Sequence, residues 1–215
     1  MAKQTRGEVP DDLTFLREAG FAKGDPNTLR DAILYLASRC GYVYPVKIAK
    51  LLYLAELEHI DRVGKRLTSA EFLHDNYGPN PREAALVIDC LEMGGWLETS
   101  VETTKRGYVM TKIKPIKALP RLGLSNEAIR TLDNVVSRWK FRNTDSIVAA
   151  AKQTEPFKAT PEYERIDLDG YLAARNLLAS ENIQNQLKKS EEDIRAGRYK
   201  KFKTKEQALA YLDSL

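Results

Sequence analysis

His59 and His74 are the only two histidines in the chain, and they are the residues best suited to metal or acid–base chemistry. Carboxylates stand beside both, with Glu58 and Asp61 near the first and Asp75 next to the second. Two imidazoles with one or two carboxylates can bind zinc or a similar ion. The spacing matches no HExxH, CxxC or HxH pattern, however. We therefore expect both imidazoles to form local hydrogen bonds at the edge of the core, and we predict no metal and no cofactor.

Motifs for nucleophilic catalysis and phosphate binding are missing from the sequence. It contains no GxSxG elbow, no Walker-type loop and no GxGxxG. Cys40 and Cys90 each lie inside an apolar helical pattern, which is typical of buried thiols in a reducing cytosol. We therefore expect a cytoplasmic protein that is not an enzyme and has no catalytic residue.

The composition is that of a globular protein. The chain has 215 residues, 43% of them hydrophobic, and 34 basic against 30 acidic side chains give a net charge of +4. This hydrophobic content is too high for a fully disordered chain. The start of the sequence lacks the apolar run of a secretory signal, and no segment approaches the roughly 18 apolar residues of a membrane span. We expect no membrane partner.

Apolar periodicity predicts a chain built mainly of helices. Leu29, Ile33 and Leu36 recur at helical spacing and predict a helix that ends near Gly41. Pro45 suits the first position of a second helix. The second helix is predicted to run to about 63, and further helices are predicted over 11–19, over 68–73 with Thr68 or Ser69 at its start, over 82–93, from Ser125, from Thr144, from 167 or 169 to about 196, and from Thr204.

The periodicity changes after the glycine pair at 94–95. Trp96–Val101 and Tyr108–Ile113 are rich in residues that favour strands and flank a turn at 105–107, which predicts a hairpin. The predicted fold is mainly α: a compact helical domain with one small, winged-helix-like β-hairpin at about 96–113, a long C-terminal helix and an extended C-terminal arm. We divide it into an N-terminal extension (1–27), a helical domain (28–166) and a long helix with a basic arm (167–215).

A helix followed by a wing could also read DNA. The helix from Arg82 is poorly suited, because Glu83, Asp89 and Glu92 would repel phosphates. The hairpin is better suited, with basic residues at its tip and beyond: Lys105, Arg106, Lys112, Lys114 and Lys117. DNA is therefore an alternative partner that we do not favour.

The C-terminal arm shows the clearest shift in composition. Between Arg195 and Lys205, six of eleven residues are basic and none is acidic, with Tyr199 and Phe202 interleaved. Such a segment can contact nucleic acid, capture a protein partner, or stay a solvated end. We favour partner capture, because a capped helix follows. Residues 186–215 carry a net charge of +3, and the preceding 185 residues carry +1.

Three blocks in order carry a family resemblance. They are KIAKLLYLAELEH (Lys47–His59), GKRLTSAEF (Gly64–Phe72) and YGPNPRE (Tyr77–Glu83). The stretch from Leu29 to about Met110 that contains them resembles the Panacea domain of SocA-like antitoxins, with Asn80 at a position where that family more often has valine. The arm more faintly resembles the C-terminal segments of RelB- or Phd-like antitoxins, which wrap their toxins.

The resemblance implies an antitoxin that neutralises a cognate protein toxin by direct contact. A homodimer and a hetero-oligomer with the toxin are both open as its assembly. A DNA-binding regulator and an adaptor that delivers a partner to a protease are the alternatives. We predict partner contacts at polar residues of the first block, at the exposed turn, and on the arm; local salt bridges or caps are the competing explanation for the first group. The residues are Lys50, Glu58, His59, Tyr77, Gly78, Pro79, Arg82, Arg198, Tyr199, Lys200, Lys201 and Phe202.

Overall fold

The computed structural model describes residues 13, 18, 20, 25–68, 70–103, 107 and 109–212. Most of the predicted helix at 11–19 and the basic hairpin tip, Lys105 and Arg106, lie outside the described residues. The helices are α1 (Pro26–Cys40), α2 (Pro45–Val63), α3 (Ala84–Met93), α4 (Asn126–Trp139), α5 (Thr144–Lys152), α6 (Glu155–Ala159), α7 (Leu168–Ala179), α8 (Glu181–Arg195) and α9 (Lys205–Leu212). The strands are β1 (Phe72–Asp75), β2 (Gly78–Pro81), β3 (Leu97–Thr103) and β4 (Val109–Pro115).

The fold is mainly α, as predicted, and the predicted hairpin is present as β3–β4. These strands pair antiparallel from Leu97 opposite Pro115 to Thr103 opposite Val109. Ile113 is fully buried and forms a two-way backbone bridge with Val43, at 2.8 and 2.9 Å, which fastens the hairpin to the helical domain. A second hairpin, β1–β2, was not predicted.

The helix ends follow the local sequence signals. Asp25 caps α1, accepting hydrogen bonds from the backbone amides of Asn27 and Thr28. Pro45 opens α2 as predicted, and Gly64 ends it with a left-handed φ of 69°. Ser125 caps α4 through the amide of Ala128. These caps satisfy backbone groups that would otherwise lack partners at helix ends.

Helix α2 lies at the centre of the core. It packs against α1, α4, α5 and β2. Leu51, Leu52 and Tyr53 are completely buried on it, and the Tyr53 ring meets the edge of the Phe72 ring at a centroid distance of 5.4 Å. Burying a side chain of this size stabilises the fold by roughly 1.5–3 kcal/mol. Because α2 holds several of them and packs against these other elements, it positions the other functional segments.

The prediction of a helix that begins at Thr68 is wrong. The backbone amide and hydroxyl of Thr68 are held by the carboxylate of Glu56, at 3.1 and 2.9 Å, so they do not cap a helix. The chain then enters β1, which pairs with β2 on one side. On the other side it bonds to residues 163–166, with His74 N to Glu164 O at 2.8 Å. Because these partners are far away in sequence, local patterns did not indicate the strand.

The C-terminal region differs from the prediction in one respect. The interval predicted as one long helix is divided at Ser180 into α7 and α8. Gly197 follows α8 with a φ of 73°, and Thr204 and Gln207 cap α9 as expected. The chain forms two units, one up to Ala173 and one from Ala174. None of the helices in the described part is long and apolar enough to cross a membrane.

Candidate functional site

Two lysines from neighbouring helices hold the β1–β2 hairpin. Lys50 of α2 donates from Nζ to the carbonyl oxygen of Pro79 at 2.9 Å. Lys152, the last residue of α5, donates to the carbonyl oxygen of Asn76 at 2.6 Å. Both acceptors are backbone groups at the hairpin turn, so the two ammonium groups fix the turn onto the helical domain.

Gly78 allows this close approach. Its φ of 87° lies in the left-handed region, which disfavours side chains. A Cβ atom at this position would lie 3.2 Å from Cε of Lys50 and 3.5 Å from Cγ of Lys152. The neighbouring Tyr77 points outward, with 74% of its surface exposed. The hairpin is therefore a rigid turn that displays one aromatic side chain.

Lys50 is an unusual core residue because its long side chain is only 2% exposed. Burial lowers the pKa of its ammonium group to about 8, while Asp75 opposes and Lys152 adds to this shift. The structure thus brings Lys50, Gly78 and Pro79 of the predicted contact residues into direct contact. Lys50, Gly78 and Pro79 are all buried, and of the contact residues predicted at 77–79, Tyr77 is the exposed one.

Glu58 and His59 both face α4. Glu58 accepts a hydrogen bond from Asn134 and pairs with Arg62 and Arg138, each at 3.3 Å. It lies at the edge of an open cleft of about 690 Å³ between α2, α4 and α6. The ion pairs account for Glu58 without an external partner, and its role as a contact residue remains a prediction.

His59 is buried and neutral. Its Nδ1 lies 3.0 Å from the hydroxyl of Thr131, which itself donates to the carbonyl oxygen of Glu127 at 3.0 Å. The imidazole therefore donates from Nδ1. Burial lowers the pKa of His59 below its ordinary value, which keeps the ring uncharged at neutral pH. The site is a link between helices inside the core.

His74 is also engaged within the fold. Its Nδ1 donates to the carbonyl oxygen of Thr160 at 2.7 Å, and its ring stacks against Phe157 at a centroid distance of 3.7 Å. Across the described residues, no group of three or more histidine, cysteine or acidic side chains could hold a metal ion. Both imidazoles thus form hydrogen bonds within the fold, as expected, but their partners lie 72 and 86 residues away in sequence, and His59 lies inside the core and not at its edge.

Glu56, which the sequence patterns did not single out, organises the GKRLT turn. Its side chain is fully buried and accepts four hydrogen bonds: from Nε of Arg66, from the amides of Leu67 and Thr68, and from the hydroxyl of Thr68, all between 2.5 and 3.1 Å. Arg66 also bonds to Asp169 and to the carbonyl oxygen of Ala70. The available signal was an acidic residue within the apolar stripe of α2.

Arg82 follows the hairpin and is accessible. Its side chain is 59% exposed, and its guanidinium lies a distant 4.0 Å from the Glu71 carboxylate. Arg165 pairs with the same carboxylate more closely, at 2.7 Å. The next residue, Glu83, is buried, and its Oε2 has no hydrogen-bond partner among the described residues. Burial raises the pKa of Glu83. Arg82 and Tyr77 are therefore the predicted contact residues near this turn that are exposed.

The basic arm is folded back on itself around aromatic rings. Arg198 pairs with Asp193 at 2.7 Å. Phe202 contacts Tyr211 at a centroid distance of 5.4 Å, and the Lys200 ammonium lies 4.0 Å from the centre of the Tyr211 ring. The Lys201 ammonium lies 5.4 Å from the centre of the Tyr199 ring. Tyr199 and Phe202 remain 48% and 40% exposed.

The hairpin wing offers few free cations for DNA. Lys112 donates to Glu102 at 2.8 Å, and Lys117 donates to the carbonyl oxygen of Gly94 and lies over the Trp96 ring. Basic side chains that are paired within the protein have little left to offer phosphates. In the part of the wing that the structure describes, the DNA alternative thus gains no support.

Comparison with known proteins identifies the domain. Residues 48–158, just over half of the chain, match the family model "Antitoxin SocA-like, Panacea domain". The match includes α2, the GKRLT turn and the β1–β2 hairpin, which are the segments that Glu56 and Lys50 hold together. No curated protein and no solved structure matches the chain at a significant level. The chain belongs to the SocA-like, Panacea-domain antitoxin family.

Proposed function

We propose that this protein is an antitoxin that neutralises a cognate protein toxin by direct, stoichiometric contact and has no enzymatic activity of its own. Family membership supports the antitoxin role. Cys40 and Cys90 are free thiols, in keeping with action in a reducing cytoplasm. The observation that carries the proposal of direct contact is the surface of α8.

Helix α8 has an apolar stripe that the described part of the chain does not bury. Ile183, Leu187 and Ile194 fall on one face of the helix, within about 40° of each other at 100° per residue. Not one residue of α8 is buried, and Leu187 and Ile194 are 47% and 60% exposed. An amphipathic helix of this kind gains stability when its apolar face enters a groove of another protein.

The arm extends the same contact surface. Beyond α8, Tyr199 and Phe202 offer exposed aromatic area, and Lys200 and Lys201 add positive charge. Aromatic residues contribute disproportionately to protein interfaces, and flanking charges favour a partner of opposite sign. We therefore assign α8 and residues 198–202 as the main toxin-binding surface, with the exposed Tyr77 and Arg82 as a second contact on the first unit.

Coexpression tests this assignment. The protein encoded by the neighbouring reading frame is coexpressed with the wild-type chain, and growth and copurification are measured. Leu187→Glu with Ile194→Glu places two charges on the stripe and is expected to reduce copurification by about tenfold or more and to abolish growth rescue. Asn182→Glu with Asn185→Glu adds the same charge to α8 off the stripe and is expected to retain both.

Two results would contradict the proposal. If the neighbouring protein is not toxic, or is toxic and is not rescued by the wild-type chain, the antitoxin role fails. If the stripe and control variants rescue equally, the role stands but α8 is not the binding surface. Rescue that depends on faster proteolysis of the toxin would instead favour the adaptor alternative.

A further inference from the structure

A separate basic pocket lies on the first unit, and none of the contact residues predicted from the sequence lines it. It has a volume of about 470 Å³ and is formed by the end of α1, the start of α2 and the segment that joins α4 to α5. The lining residues that carry its chemistry are Tyr42, Lys47, Lys140, Phe141 and Arg142. All of them come from the described part of the chain.

The charged side chains that line this basic pocket are all positive. Lys47, Lys140 and Arg142 line it, and none of the described lining residues is acidic. Lys47 donates from Nζ to the carbonyl oxygens of Lys140 and Arg142, at 2.8 and 2.7 Å, which leaves its third N–H available. Lys140 and Arg142 form no ion pair with any described residue. Three cations are therefore held together with no counter-charge in the pocket.

Exposed apolar side chains flank these cations. Phe141 is 90% exposed although it sits between Lys140 and Arg142, and Tyr42 and Val46 are 56% and 41% exposed. A phenylalanine gains little for folding at such exposure. The Lys140 ammonium lies 5.5 Å from the centre of the Phe141 ring, and aromatic residues and arginine are enriched in protein interfaces.

The surrounding charge favours a discrete acidic group over a nucleic acid. Residues 1–173 hold 25 basic and 24 acidic side chains, so the first unit as a whole is nearly neutral. A nucleic-acid surface needs an extended positive track along the phosphate backbone. Here the cations are gathered in one pocket beside exposed apolar side chains. This arrangement complements a short acidic segment with a neighbouring apolar side chain.

We propose that the basic pocket is a docking site for a short acidic segment of a protein partner, in which aspartate or glutamate flanks an aromatic or large aliphatic residue. The carboxylates pair with Lys140, Arg142 and the free N–H of Lys47, and the apolar side chain packs on Phe141. This site is independent of the α8 stripe and does not require that the partner be the toxin.

The test uses the full-length protein and a phage-displayed library of random peptides as the probe. Selection on the wild-type chain is expected to enrich peptides with acidic residues beside Phe, Trp or Leu. Binding of the best enriched peptide, measured by fluorescence anisotropy, is expected to weaken about tenfold or more in Lys140→Glu with Arg142→Glu. Phe141→Ala is expected to weaken it several-fold.

Lys65→Glu with Lys158→Glu is the matched control, because both lysines are exposed, lie outside the pocket and give the same change in charge. It is expected to bind like the wild type, and all variants are expected to keep the wild-type melting temperature. Absence of acidic enrichment would overturn the proposal, as would equal weakening in the control variant. Tighter binding of oligothymidylate than of any enriched peptide, lost in the pocket variant, would overturn it in favour of nucleic acid.

Discussion

Glu56 is the residue on which the family's GKRLT turn depends. It is a fully buried carboxylate that accepts four hydrogen bonds, one of them from Arg66. Glu56→Gln removes the charge opposite Arg66 and turns one acceptor oxygen into a donor that faces other donors. We expect a loss of about 3 kcal/mol in the free energy of unfolding, measured by urea denaturation.

Glu58→Gln is the matched control for this substitution, because Glu58 is two residues away and forms ion pairs at the edge of a cleft. We expect it to cost about 1 kcal/mol or less. Equal losses for the two variants would mean that the buried network of Glu56 has no special weight in stability.

Lys50 makes stability depend on pH in an uncommon direction. Burial lowers its pKa in the folded protein to about 8, from 10.5 in the unfolded chain. Between these values the unfolded chain binds more protons, so stability is reduced below pH 8 and recovers as the pH rises. From pH 7.5 to 9.5 this group should raise the free energy of unfolding by about 2 kcal/mol.

Cys40 and Cys90 titrate in the same range and change the free energy of unfolding in the opposite direction, because burial raises the pKa of both thiols. The measurement is therefore the difference between the wild type and Lys50→Met, by urea denaturation at each pH. Lys50→Met retains the cysteines and lacks the ammonium, so the difference should change by about 2 kcal/mol over the interval. A difference that is constant with pH would contradict the prediction.

At the scale of elements, the β1–β2 hairpin depends on one glycine. Gly78→Ala combines an unfavourable φ with a Cβ that meets Cε of Lys50 at 3.2 Å. Gly107 has a similar φ of 83° in the other hairpin and nothing within 4 Å of its Cβ position. We expect Gly78→Ala to lower the free energy of unfolding by about 2 kcal/mol and Gly107→Ala by about 1 kcal/mol. Reversal of this order in thermal or urea unfolding would exclude a role for the contact with Lys50.

Local patterns predicted the elements whose start and turn signals lie in their own sequence. Helices with a Pro or Ser start signal, such as α2 and α4, and the β3–β4 hairpin follow from spacing and turn residues. The β1–β2 hairpin was not predicted although residues 76–77 join its strands directly, because Pro79 and Pro81 disfavour a strand and β1 is also held by residues 163–166, far along the chain. Propensity gives way to tertiary contacts at such places.

The same limit applies to the candidate site. From the sequence, Glu58 and His59 are polar residues whose presence core packing does not explain. In the structure, both have hydrogen-bond partners on α4. Glu56 looked like another polar residue of the helix, although it is the one that lies completely inside. Sequence spacing places a residue on a helix, whereas its burial depends on what the rest of the chain brings to that face.

At the scale of the whole molecule, the hydrophobic core and the proposed toxin-binding surface belong to different units. The described core ends at Leu172, and the second unit begins at Ala174. Removal of Gly197–Leu215 therefore takes away the basic arm and α9 without removing any core residue. We expect the truncated chain to keep the melting temperature of the full chain, because stability comes mainly from buried apolar area. We also expect its affinity for the toxin to fall by about tenfold or more in calorimetry. Unchanged affinity in a truncated chain that melts normally would exclude the arm and leave α8 as the sole C-terminal contact.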